Sequence, residues 1–104
     1  MAAPVPVPFR LHVADDAIAD LRARLARTRF PDRAPGEPWA YGSDVGYLRE
    51  LVAHWHDRFD WRAQEARLNA FAQFKVPLDG IDVHFLHVEG KGPAPLPLLL
   101  SHGW

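Results

Sequence analysis

The feature that most constrains this chain is the apolar stretch Pro95-Leu-Pro-Leu-Leu-Leu100, which is followed at once by Ser-His-Gly-Trp104. A continuous run of branched apolar residues bounded by prolines reads as a strand buried on both faces, the kind found in the middle of a parallel sheet. Such a strand needs neighbours on both sides, because each backbone N–H and C=O removed from water must be paired. Any fold written for this sequence must therefore supply those neighbours.

With 104 residues, the chain can form one small domain that buries a modest fraction of its surface. Twelve Lys and Arg against 13 Asp and Glu give a net charge of -1, so no global field draws it to nucleic acid or an anionic membrane. The absence of cysteine excludes a disulfide framework, a redox pair, a thiol nucleophile and a thiolate zinc site. The start, MAAPVPVPFR, lacks the basic and apolar regions of a signal peptide, and no run of about 18 apolar residues could cross a bilayer. The expectation is a soluble, cytoplasmic protein. Its Ala-, Arg- and Pro-rich usage suggests a bacterial source.

Pro4, Pro6 and Pro8 prescribe an extended lead-in, and residues 9–13 alternate as a short strand does. Asp15 and Asp16 favour a helix start, and Ile18, Leu21 and Leu25 follow at helical spacing, with Arg22, Arg24, Arg27 and Arg29 toward the far end. This predicts a first helix over residues 15–28. The next stretch, FPDRAPGEPWAYGS, contains three prolines and two glycines and reads as a loop carrying Trp39 and Tyr41.

Ser43 or Asp44 can cap a second helix, whose apolar positions Leu48, Leu51, Val52, Trp55 and Phe59 form one stripe that predicts core packing. Asp60 can cap a third helix over residues 61–70. The period then changes to two. Phe74, Val76 and Leu78 alternate, Asp79-Gly80 marks a tight turn, and Ile81, Val83 and Phe85 alternate again, which predicts a hairpin. Pro77 lacks an N–H, so its strand is expected at a sheet edge or distorted at its end. Residues 96–101 are the third predicted strand.

The candidate chemistry is sparse. His54 and His56 point about 200° apart on a helix, and His84 and His87 point to opposite faces of a strand, so neither pair converges on a metal as i, i+4 ligands do. The arginines of the first helix could form a phosphate stripe, but Asp20 lies one turn before Arg24, which favours a solvated, ion-paired face. Ser101 next to His102 cannot easily set its hydroxyl against the ring, and G-x-S-x-G is absent. A strand followed by His-Gly-x instead offers a backbone turn whose N–H can stabilise an oxyanion.

Four stretches in order carry a family likeness: LRARLARTRFPD at residues 21–32, PWAYG with YLRELVAHW at 38–55, DWRAQEARLNAFAQF at 60–74, and PLLLSHGW at 97–104. Across nearly its full length the sequence resembles the N-terminal region of the microsomal and juvenile-hormone type of epoxide hydrolase, in the α/β-hydrolase superfamily. The resemblance implies an α/β chain. A helical segment over residues 1–72 would wrap the hydrolase core and pack near its cap. Residues 73–104 would supply the first three strands, an antiparallel hairpin plus one core strand, of a sheet left incomplete.

The resemblance also implies a reaction. A nucleophilic Asp opens the epoxide to an alkyl-enzyme ester while cap tyrosines donate to the leaving oxygen, and a His with an acidic partner then activates water. By analogy with the family's His-Gly-x-Pro motif, the backbone N–H of Trp104 would be one oxyanion donor, and His102 and Gly103 would shape the loop. The nucleophile, base and cap tyrosines of the family lie downstream of that motif, and neither Tyr41 nor Tyr47 matches the cap pair. No cofactor or metal is implied. The implied partners are an epoxide and the remaining core and cap, with no nucleic acid and no membrane, and a homo-oligomer stays open.

In the family sheet a later strand inserts between the second and third, so a chain ending at Trp104 would leave both unpaired. The expectation is therefore a fragment of a longer epoxide hydrolase that is inactive alone. The alternative is a non-catalytic short module that binds a partner hydrolase or self-associates through its apolar strand. An active 104-residue enzyme is disfavoured, since no acid, base and nucleophile constellation is visible.

Overall fold

The computed structural model describes residues 3–103, and Cα packing divides them into two compact units. One is His12–Glu65, and the other joins residues 3–11 to residues 66–103. No helix among the described residues is long and apolar enough to cross a membrane.

The sheet unit contains three antiparallel strands in the order β1 (Val7–Phe9), β2 (Gln73–Leu78) and β3 (Ile81–Leu86). The predicted hairpin forms with Leu78 opposite Ile81, Val76 opposite Val83 and Phe74 opposite Phe85. Asp79 and Gly80 both take positive φ, 48° and 84°. That is the twist a two-residue hairpin needs, and Asp-Gly is one of the pairs that adopts it at least cost. One face is organised by the cross-strand Phe74 and Phe85 rings, stacked at 5.5 Å. The other holds Phe9, whose ring meets His84 edge-on at 5.2 Å and lies 4.7 Å below the Lys75 ammonium.

Three expectations change in this unit. The N-terminal strand forms at Val7–Phe9 rather than over residues 9–13, with Val7 opposite Lys75 and Phe9 opposite Gln73. β2 is thereby the middle strand, not an edge. Pro77 is tolerated because it pairs with Asp82 one step from the turn, where the geometry of a two-residue hairpin turns its nitrogen away from β3. β1 reaches only as far as Lys75, so no ladder bond is missed.

The strand predicted over residues 96–101 does not form. Leu96, Leu98, Leu99 and Leu100 lie exposed, Leu99 at 93%. A strand exists only through its ladder, and residues 96–101 join neither edge of this sheet.

The helical unit begins with α1 (Asp15–Leu25). It stops before the predicted end because the chain tightens into three-residue turns, with Arg27 N–H donating to Arg24 and Thr28 N–H to Leu25. α2 (Val45–Asp57) starts where Asp44 accepts the Tyr47 N–H at 3.1 Å. α3 (Trp61–Leu68) starts where Asp60 accepts from Ala63 at 3.0 Å. The intervening loop is anchored by the Arg49 guanidinium, 4.5 Å above the Phe30 ring.

The α2 stripe does not reach the burial its period predicts, since Leu51 and Trp55 stay 44% and 45% exposed. α1 packs on part of this face, but it is a helix of 11 residues and covers only a portion of it. Among the described residues the buried ones are Val76, Glu65 and Gln73. Two of these three are polar, so specific hydrogen bonds carry much of the local order.

Candidate functional site

His102 and Gly103 follow the exposed leucine run and are themselves exposed, outside any helix or strand. Open space surrounds Gly103, and a Cβ built there would meet no heavy atom within 4 Å. Trp104, whose N–H is the expected oxyanion donor, lies outside the described residues. Ser101 is exposed beside His102.

The helical unit carries an open apolar groove of about 390 Å³ between α1 and α2. Ile18, Leu21 and Leu25 line one side, Leu51 and Trp55 the other, and Phe59 and Trp61 close one end. Arg22 and His54 stand at its border. These are the same positions that the helical periods of the sequence mark as core, left here as an apolar surface that can receive another apolar surface.

The other singled-out residues fall into local pairings. His56 Nδ1 lies 2.5 Å from Asp57, while His54 borders the groove, so the two rings diverge as their spacing predicts. Arg24 pairs with Asp20 at 2.7 Å, one helical turn away. Trp39 holds a positive φ of 68° and sets its ring 5.1 Å from Tyr47, whereas Tyr41 is 80% exposed.

Sequence reasoning passed over three polar residues that organise the structure: Glu65, Asn69 and Gln73. Glu65 is 7% exposed, and it accepts from the Val13 N–H at 2.7 Å, the Trp61 indole at 3.3 Å and Arg62 Nη1 at 2.8 Å. These donors, led by Val13, hold its carboxyl below the usual range even though burial pushes the other way. Arg62 is correspondingly raised, first by Asp15 and then by Glu65.

In the sheet unit, Asn69 brackets the Leu11 backbone. Gln73 donates to the Leu68 carbonyl at 2.8 Å, and its oxygen sits 2.9 Å from His84 Nε2. The available signal was a polar residue at every fourth position, Glu65, Asn69 and Gln73, in an otherwise mixed stretch.

The chain matches the family model described as the epoxide hydrolase N terminus over residues 6–104. It is 44% identical over 97 residues to a putative epoxide hydrolase of Stigmatella aurantiaca, covering 93% of this chain and 22% of that protein. It is 36% identical over 101 residues to epoxide hydrolase 1 of Oryctolagus cuniculus, with the same two coverages. Among solved structures, the epoxide hydrolase of Aspergillus niger superposes with a TM-score of 0.73 at 29% identity, covering 79% of this chain and 22% of that one. The structural neighbours are epoxide hydrolases of α/β-hydrolase fold, and this chain spans 22% of the length of the first curated relatives it matches.

Proposed function

Since the chain belongs to the epoxide hydrolase N-terminal family, we propose that it acts as the N-terminal part of an epoxide hydrolase converting an epoxide and water to a vicinal diol. In this reading, residues 1–72 form a segment that packs on the core and cap, and residues 73–104 begin the core sheet. The single observation that carries it is the family match over residues 6–104, which includes His102-Gly103-Trp104. Two features of the fold agree with it. The groove between α1 and α2 and the run of residues 96–100 present apolar surface that a hydrolase core would cover.

The chemistry proposed is a two-step displacement. An Asp carboxylate of the remaining core attacks one epoxide carbon, the C–O bond breaks, and cap tyrosines donate to the leaving oxygen. Water activated by a His then adds to the ester carbonyl, and collapse of the tetrahedral intermediate releases the diol and restores the carboxylate. Trp104 contributes its backbone N–H to the oxyanion of that second step, in a turn shaped by His102 and Gly103. Nucleophile, base and cap tyrosines are assigned to no residue of this chain, so the 104 residues alone turn over no epoxide.

The test uses the natural gene product with an aryl epoxide. Trp104→Pro, which removes the N–H, should lower turnover about 100- to 1,000-fold by the usual worth of one oxyanion donor. The first, ester-forming step should be spared, so an alkyl-enzyme should accumulate. Trp104→Ala keeps the N–H and should retain most of the activity. Equal loss in both variants, or a Trp104→Pro enzyme of normal turnover, sinks the assignment. No diol from the unmodified gene product sinks the hydrolase reading itself.

A further inference from the structure

α1 begins at a poor cap. Its N-cap residue is Ala14, which offers no side-chain acceptor to the orphan N–H groups of the first turn. Alanine is among the weakest residues at this position, so other contacts must help fix where this helix starts. Asp16 accepts the Ala17 N–H at 2.8 Å within the first turn, and the long-range contacts come from α3. Glu65 takes the N–H of Val13, the residue just before the cap, and Arg62 bridges Glu65 to Asp15, the first residue of the helix.

We propose that Glu65 is an acid-releasable clasp that holds the chain at Val13, and with it the start of α1, onto α3. The geometry makes the connection sensitive to a single proton. An ionised carboxylate accepts on both oxygens, and here Oε2 serves Val13 and Trp61 while Oε1 serves Arg62. The Arg62 cation on Oε1 disfavours a proton there, so protonation falls on Oε2, where the new O–H faces the Val13 and Trp61 donors and weakens their bonds.

The charged groups around Glu65 are few. Arg62 faces it from α3, and His12 Nδ1 lies 3.9 Å away on the lead-in. Asp15 on α1 acts through Arg62. Arg62, and His12 when protonated, both favour the ionised form. Release therefore falls below the ordinary Glu range, around pH 4.3, which agrees with the direction set by the Val13 N–H. The inference is independent of the hydrolase reading, since it concerns contacts within one helical unit.

Amide hydrogen exchange on the natural gene product tests it. Protection factors, corrected for the intrinsic pH dependence of exchange, would be followed from pH 7 to pH 3 at Val13, at Ile18 and at Leu48 in α2 as a control. The expected result is a loss of about tenfold or more, the worth of one charge-assisted hydrogen bond, at Val13 and Ile18 but not Leu48. Glu65→Gln should show low protection at Val13 with no acid step, and Asp15→Asn should keep the step.

A flat profile at Val13 in the unmodified protein would overturn the clasp, as would a step that survives Glu65→Gln or vanishes with Asp15→Asn. Should Glu65→Gln fail to fold, the Glu65 carboxyl resonance decides. It must titrate at the midpoint of the Val13 change, and a separate midpoint refutes the proposal.

Discussion

The side-chain amide of Asn69 closes a ring with the backbone of Leu11: the Leu11 N–H donates to Asn69 Oδ1 at 2.8 Å, and Asn69 Nδ2 donates to the Leu11 carbonyl at 2.8 Å. β1 has ended at Phe9, and the asparagine continues its pairing as a strand neighbour would. Asn69→Leu leaves both half-buried groups unpaired and should destabilise by about 1–3 kcal/mol, seen as a lower urea midpoint. Asn69→Asp keeps the acceptor but sets a second oxygen against the Leu11 carbonyl, and it should cost at least as much.

Glu65 also sets a pH dependence of stability. Its carboxyl is lower in the folded chain than in the unfolded one, so the unfolded state takes up protons more readily as pH falls. The contribution is complete above the ordinary Glu range and disappears as pH drops through the folded value. Removing Arg62 by Arg62→Met withdraws a donor and a charge from Glu65. The acid-dependent loss should then be smaller than in the parent and complete at a higher pH, as read from Tm against pH.

The turn tests backbone strain with little interference from packing. A Cβ at Gly80 would meet nothing within 4 Å, yet φ there is 84°. Gly80→Ala should therefore lower stability by about 1–2 kcal/mol, the cost of a left-handed residue with a side chain. Asp79→Asn suits the same turn and should stay within about 0.5 kcal/mol. Thermal melts of the two variants side by side would show the difference.

The leucine run separates readings of the natural protein. If Leu99 is covered by a hydrolase core, Leu99→Ala in the natural gene product should cost about 2–5 kcal/mol. If it keeps the 93% exposure seen here, the same change should fall within about 0.5 kcal/mol. Urea denaturation distinguishes the two, and the second result would count against the proposed core strand.

What could be read from sequence was short-range. Asp60 caps the helix it was expected to cap, and of Ser43 and Asp44 it is Asp44 that caps α2, because a capping bond spans three residues and depends on little else. Asp79-Gly80 makes the expected hairpin for a similar reason, with a change of period on either side of it. The order of four sequence stretches pointed to the family, and the family match agrees. Periodicity marked Leu51, Trp55 and Phe59 as apolar positions correctly, but a period tells which face is apolar and not what covers it.

Three helices, a hairpin with its turn, and a likeness specific enough to name a family were all legible in the residues. Tertiary structure alone decided that Val7–Phe9 pairs with β2, that Glu65 receives Val13 from 52 residues away, and that Asn69 receives Leu11 from 58. The physical reason is that caps and turns satisfy backbone groups within a few residues, where residue type is enough. A ladder partner or a buried carboxylate is satisfied only by whatever the fold brings to it. Residues 96–100 show the same rule from the other side: their apolar sequence calls for a strand, and without a partner in the sheet they form none.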